Sequence, residues 1–299
     1  MHRLFLAIIL LIMPFASPAN AVQRVLVLQG VRVTPYDEAY RGIRSSLNGV
    51  SLKKLVLSDL EGIDVAKMVR DERPDVILAI GTEALVKLRR IKDTPIVYLM
   101  VLDQHNGLTS GNNMTGIGMV IPPERQLAAL ESTVPRIKRI GLLYNPAHTG
   151  AIARRAVAAA RGLGIELLIH EVRNSREVLP LLKSMKGEID AFWMLPDITV
   201  VTPETVEFLL LFSLNNRIPV LTFSDKYAEM GALMALDIDP IDLGRQAAEI
   251  AKKVLAGTPV DTIPHSEPRS AVLTVNLKIA RKLGIPLREE ALSRAKLIR

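Results

Sequence analysis

Seven polar residues stand where apolar runs stop: Gln29, Thr82, Asp103, Asn145, Asp197, Ser224 and Asp225. The runs before them, such as residues 218–223, read as strands buried on both faces of a parallel sheet. Amides, hydroxyls and carboxylates at the carboxyl ends of such strands suit the capture of a small polar molecule, because the following helices and loops leave a crevice there. Bond-making chemistry has no support. The sequence lacks a Gly-x-Ser-x-Gly elbow, a phosphate loop ending in Gly-Lys-Ser/Thr and a His-Glu-x-x-His pair, and Gly116-Ile117-Gly118 lacks the third glycine of a dinucleotide fingerprint, so it reads as a backbone turn. His105, His148, His170 and His265 show no metal-ligand spacing to one another. No catalytic residue, metal or cofactor is therefore expected. His105 and His148 fall just past strand ends and are further candidate contacts, whereas His170 and Trp193 lie within strands and read as packing residues.

The elements that must position these groups follow a regular beat. Strands are expected at 24–28, 52–57, 75–80, 96–101 and 114–120, then at 139–143, 165–172, 190–195, 218–223 and 232–236, with helical segments between them. That spacing is the signature of βαβ units and parallel sheets. The pattern restarts at Pro122-Pro123-Glu124, a favourable helix start because proline fits the first turn. Two Rossmann-like halves result, 22–120 and 121–237. A helix at 241–255, a strand at 272–275 and a helix from about 277 complete the chain, and the basic segment 287–299 reads as a solvated helix. No Gly/Ser-rich linker separates the halves, so they are expected to meet along a cleft that the chain crosses more than once. The acidic step Asp237-Ile238-Asp239-Pro240 is a candidate crossing.

Composition narrows the class. The chain has 299 residues, 49% of them hydrophobic but only 4% aromatic, which argues against a base-stacking nucleic-acid surface. There is no cysteine, so disulfides, thiolate metal sites and a lipidated cysteine anchor are excluded. Residues 1–21 carry a short basic start at His2-Arg3, an apolar run and Ala19-Asn20-Ala21, the three parts of a cleavable export signal. Removing that segment deletes Arg3 and no acid, which lowers the net charge from +7 to +6. A soluble, monomeric, periplasmic protein is expected. The export signal stands where a DNA-binding repressor of similar architecture carries its helix-turn-helix, so a nucleic-acid partner is not expected.

Four stretches, RIGLLYNPAHTG, IDAFWMLPD, IPVLTFSDKYAEMGALMALDIDPIDLGRQAAEIAKKVLAG and LTVNLKIARKLGIPL, resemble the ABC-transporter substrate-binding family that includes tryptophan/phenylalanine-binding lipoproteins. YDEAYRGI, AIGTEA, VLDQ and NMTGIG extend the resemblance through the first half. It implies an α/β, type I periplasmic-binding-protein fold: two Rossmann-like lobes with parallel sheets, joined by a three-segment hinge that closes on a solute. By that analogy 22–120 plus about 238–258 form lobe 1, and 121–237 plus about 259–299 form lobe 2. It further implies a small-molecule solute, an amino acid or other small organic metabolite, and a membrane ABC permease as partner. A sensor feeding a membrane receptor kinase is the alternative. Among the family's ligand positions, Gln29 is kept after Leu28, Thr82 opens Thr82-Glu83-Ala84, Asp103 lies in Leu102-Asp103-Gln104, and Tyr144-Asn145-Pro146 is intact. His148 stands in place of a glutamate, Gly150-Ala151 in place of Asn-Ser, and Asp197 lies in Pro196-Asp197-Ile198. These replacements remove groups that a buried zwitterion needs. His148 in place of a carboxylate suits an anionic or less cationic solute.

Overall fold

The computed structural model describes residues 22–60, 62, 64–101 and 107–299. The expected export signal and the candidates Asp103 and His105 lie outside them. The first sheet contains β1 (Arg24–Gln29), β2 (Ser51–Val56), β3 (Val76–Ile80), β4 (Ile96–Val101) and β5 (Met114–Gly118). They lie in the order β2-β1-β3-β4-β5 and all pair in parallel. Strands β3 and β4 are buried along their whole length, as their unbroken Val/Ile/Leu runs require of strands covered on both faces. The connecting helices are α1 (Thr34–Ser46), α2 (Val65–Glu72), capped by the Asp64 carboxylate, and α3 (Thr82–Leu88).

The second sheet is preceded by α4 (Pro123–Thr133). Then come β6 (Arg139–Tyr144), α5 (Pro146–Gly162), β7 (Glu166–Glu171), α6 (Val178–Ser184), β8 (Ala191–Trp193), α7 (Pro203–Asn216), β9 (Val220–Thr222), α8 (Asp225–Met230) and β10 (Met234–Ile238). Next are α9 (Pro240–Leu255), β11 (Ala271–Asn276), α10 (Leu277–Leu283), α11 (Glu289–Leu292) and β12 (Lys296–Ile298). The strand order is β12-β11-β10-β9-β8-β6-β7. Trp193 is fully buried and its indole N–H donates to Gln126 Oε1 at 2.9 Å, a packed residue rather than a stacking surface.

Three chain crossings join the sheets: β5 to α4, β10 to α9, and α9 to β11. The last of these runs beside β5. Ser266 N donates to Gly116 O and Gly118 N to Ser266 O, each at 3.0 Å, and the Tyr98 hydroxyl lies 2.7 Å from His265 Nδ1. Helix α9 packs on α1 and on strands β3, β4 and β5 of the first sheet. Glycines permit its approach to α1. A Cβ on Gly244 would lie 2.0 Å from Ala39 O, and one on Gly42 would lie 2.0 Å from Ile241 O. The two backbones are therefore in direct contact.

Several sequence expectations require correction. Gly116 and Gly118 form no turn. They lie in β5, where a side chain at 116 would strike Tyr98 O at 2.2 Å, so the glycine serves close strand packing. The tail is not a solvated helix: α11 has four residues, and 296–298 pair with β11 as an edge strand. Strand β11 runs antiparallel to β10, so the second sheet is not wholly parallel.

Candidate functional site

A cavity of about 500 Å³ opens where the crossings meet. Pro35 and Glu38 of α1 and Met100 of β4 line it from the first sheet's side. Met119, Val120 and Ile121 of the first crossing form an apolar wall, and Leu236 and Ile238 of β10 add to it. Met100 has φ +56°, a left-handed conformation unusual for a non-glycine residue, which marks local strain at the cavity edge.

The polar wall comes from one face of the second sheet. Asp237 on β10 stands opposite Val272 on β11, Ala235 opposite Thr274, and Thr274 opposite Lys296 on β12. Directly opposed residues share a face of a pleated sheet. The pleat therefore presents Asp237, Val272, Thr274 and Lys296 together, and all four line the cavity. Ser224 and Asp225, at the start of α8, border the same space. Asp225 N donates to Asp237 Oδ2 at 3.2 Å and Ile238 N to Asp237 Oδ1 at 2.8 Å. Lys296 Nζ donates to Asp225 Oδ2 at 2.9 Å. Burial raises the Asp237 pKa, the Asp225 carboxylate adds to the rise, and the two backbone donors and the Ser224 hydroxyl oppose it. Asp239 caps α9 by accepting from Asp242 N at 3.0 Å. The Thr274 hydroxyl is fully buried and has no hydrogen-bond partner among the described residues.

Of the candidates from sequence, Ser224 and Asp225 line this cavity, and Gln29, Thr82, Tyr144, Asn145, His148 and Asp197 do not. Gln29 is fully buried. Its amide N–H group donates to Val31 O at 2.8 Å and to Asp37 Oδ1 at 3.2 Å, and its Oε1 has no partner among the described residues. Thr82 opens α3 and is half-buried. The Tyr144 hydroxyl donates to Glu171 Oε1 at 2.9 Å, and burial followed by that carboxylate raises its pKa. Asn145 caps α5 through its Oδ1, and its amide donates to Thr199 Oγ1 at 2.9 Å. His148 sits half-buried in the first turn of α5. Asp197 is fully buried, and its oxygens accept from Asn145 N (2.7 Å), Thr199 N (2.9 Å), Val200 N (3.3 Å) and the Thr149 hydroxyl. It joins the exit of β8 to the start of α5.

Sequence reasoning missed Glu38, Met100, Thr274 and Lys296, and it read Asp237 only as part of a crossing. The alternation within Ala271–Asn276 was a usable signal for Thr274. Nothing local marks Lys296, whose place depends on long-range pairing with β11. The cavity also bears on the expected solute charge: among the described residues its lining holds four carboxylates, Glu38, Asp225, Asp237 and Asp239, one cation, Lys296, and no histidine.

Known proteins share this architecture. A ligand-free, open substrate binding protein with adhesive properties from Clostridium difficile superposes with a TM-score of 0.77 at 22% identity, covering 93% of this chain and 99% of that one. An ABC domain from Streptococcus pneumonia in complex with L-Trp gives 0.62 at 23% identity, covering 93% and 100%. Both likenesses concern the fold, which is that of the type I periplasmic binding proteins. A tyrosine-binding protein of Clostridioides difficile is 27% identical over 220 residues, 71% of this chain, and the match spans 63% of that relative's length. The family description "ABC transporter substrate binding protein" matches residues 24–298, nearly the whole chain, and the chain belongs to that family.

Proposed function

We propose that the protein is a periplasmic solute-binding protein that captures a small organic molecule between two lobes and presents it to a membrane ABC permease. The observation that carries this reading is the cavity at the meeting of the three crossings, walled by apolar residues and edged by a few convergent polar groups, the form that small-molecule sites take. Its volume suits a molecule the size of an amino acid or a small amine. The lobes are 22–120 plus about 238–258, and 121–237 plus about 259–299. Closure about the crossings, favoured by contacts that a solute makes only in the closed form, supplies the affinity. The named ligands of the relatives, tyrosine and L-Trp, support an organic solute bearing an amino group. The residues proposed to touch it are Ser224, Asp225 and Asp237, together with Asp103 as expected from the sequence. No bond is made or broken.

A thermal-shift screen of the purified protein against amino acids, amines, organic acids, nucleobases and small sugars tests this. A true solute at 100 times its dissociation constant adds about 2.7 kcal/mol of stability. Small-angle scattering should then show a smaller radius. Absence of any shift across the panel refutes the reading.

A further inference from the structure

The charged groups of the cavity are not equally free. Lys296 is bound by Asp225. Glu38 pairs with Arg41 at 3.1 Å. Asp239 is engaged as the cap of α9. Asp237 is left as the cavity carboxylate without an ion pair of its own among the described residues. Its oxygens are held in place by the N–H groups of Asp225 and Ile238, so it is fixed but not neutralised. One diagonal step away on the same sheet face lies Thr274, fully buried, lining the cavity, with a hydroxyl that has no hydrogen-bond partner among the described residues. A buried hydroxyl without a partner is costly, and a half-buried carboxylate without an ion pair is under-compensated. One ligand group answers both: an ammonium, which donates to the carboxylate and the hydroxyl at once.

The cavity gives a ligand carboxylate no comparable welcome. Among the described residues its lining has no arginine and one lysine, which is already paired, and Asp225 and Asp237 stand close together. We propose that the cavity selects a primary amine with an apolar body and no carboxylate, its ammonium held by Asp237 and the Thr274 hydroxyl against the methionine and aliphatic wall. This rests on the solute-binding reading above and specifies its solute class.

Calorimetry on the purified protein tests it with matched sets of probes: phenethylamine, phenylalanine and 3-phenylpropionate, then isopentylamine, leucine and 4-methylpentanoate. In at least one set the amine should bind about 10-fold or more tighter than the zwitterion, and the acid should not bind. Asp237→Asn should weaken amine binding about 10–100-fold, the range of a hydrogen bond to a charged group, and Thr274→Val about 2–10-fold, that of a neutral one. Thermal unfolding of each ligand-free variant shows that it folds, and either variant alone suffices for the test. Tighter binding of an amino acid or acid than of its amine, or unchanged amine affinity in a folded Asp237→Asn, overturns the amine assignment and leaves solute binding standing. No binding by any probe, together with no shift in the wider solute screen, overturns both.

Discussion

Asp197→Ala should cost stability rather than ligand affinity. The Asp197 carboxylate is fully buried and serves four donors: the N–H groups of Asn145, Thr199 and Val200 and the Thr149 hydroxyl. Alanine strands all four at the point where α5 begins and where Thr149 interrupts its helical geometry. A single buried donor left without a partner costs about 1–3 kcal/mol. The four do not add fully, because removing the carboxylate also removes its own desolvation cost and water can enter the gap. The net expectation is about 3–5 kcal/mol, the range for breaking a buried charged network. At about 2–4 °C per kcal/mol for a unit of 150–250 residues, the melting temperature should fall by roughly 6–20 °C. Asp197→Asn should fall less, since one oxygen still accepts. Thermal unfolding followed by circular dichroism is the assay. A fall of less than about 3 °C for Asp197→Ala, with solute affinity lost, would refute the structural role and return Asp197 to the set of ligand contacts.

Gly244→Ala and Gly42→Ala should each destabilise by about 1–3 kcal/mol or more, because the added methyl meets backbone on the facing helix. Gly162→Ala, with open space around it, is the control and should change urea stability by less than about 1 kcal/mol in either direction. Lys296→Ala removes ion pairs to Asp225 and Glu229 that are half exposed, so chemical denaturation should register less than about 1 kcal/mol. The Asp237 pKa is raised above its ordinary value of 3.8. Between that value and the raised one the folded state holds the extra proton, so this carboxyl's contribution to stability grows as pH falls through the window. The stability of Asp237→Asn relative to wild type should therefore decline as pH is lowered from 7 toward 4. Carboxylates whose pKa values are lowered by their partners, such as Asp37 beside Lys54 and Asp242 beside Arg269, lose their contribution only below their ordinary values, outside this window. A relative stability that rises on acidification would contradict the burial of Asp237.

The strands follow from local sequence, whereas the cavity lining depends on register, for a physical reason. Burial on both faces imposes a continuous apolar run on a strand, and that run is local; β3 and β4 were readable for this reason. Polar residues after such a run have two competing uses that look alike in sequence. Asn145 and Asp197 satisfy the start of α5, whereas Ser224 and Asp225 border the cavity. Only the register decides between these uses. Lys296 shows the limit most clearly. It belongs to a three-residue strand in a basic tail, and its position beside Thr274 depends on pairing with a strand about twenty residues earlier.

The register that hid the site also ties it to the crossings. Asp237 lies in the last turn-ward step of β10, its Oδ1 accepts from Ile238 N, and Asp239 directly follows as the cap of α9. Helix α9 in turn packs on the first sheet through the glycine contact with α1. A solute held at Asp237 therefore touches the segment whose dihedrals must change if the two sheets move relative to each other. Recognition and closure would then share one piece of backbone. On that arrangement, Asp237→Asn should reduce the solute-induced decrease in radius in step with affinity, measured by scattering at saturating solute. A variant that binds weakly yet closes fully at saturation would show that Asp237 selects the solute without governing the motion.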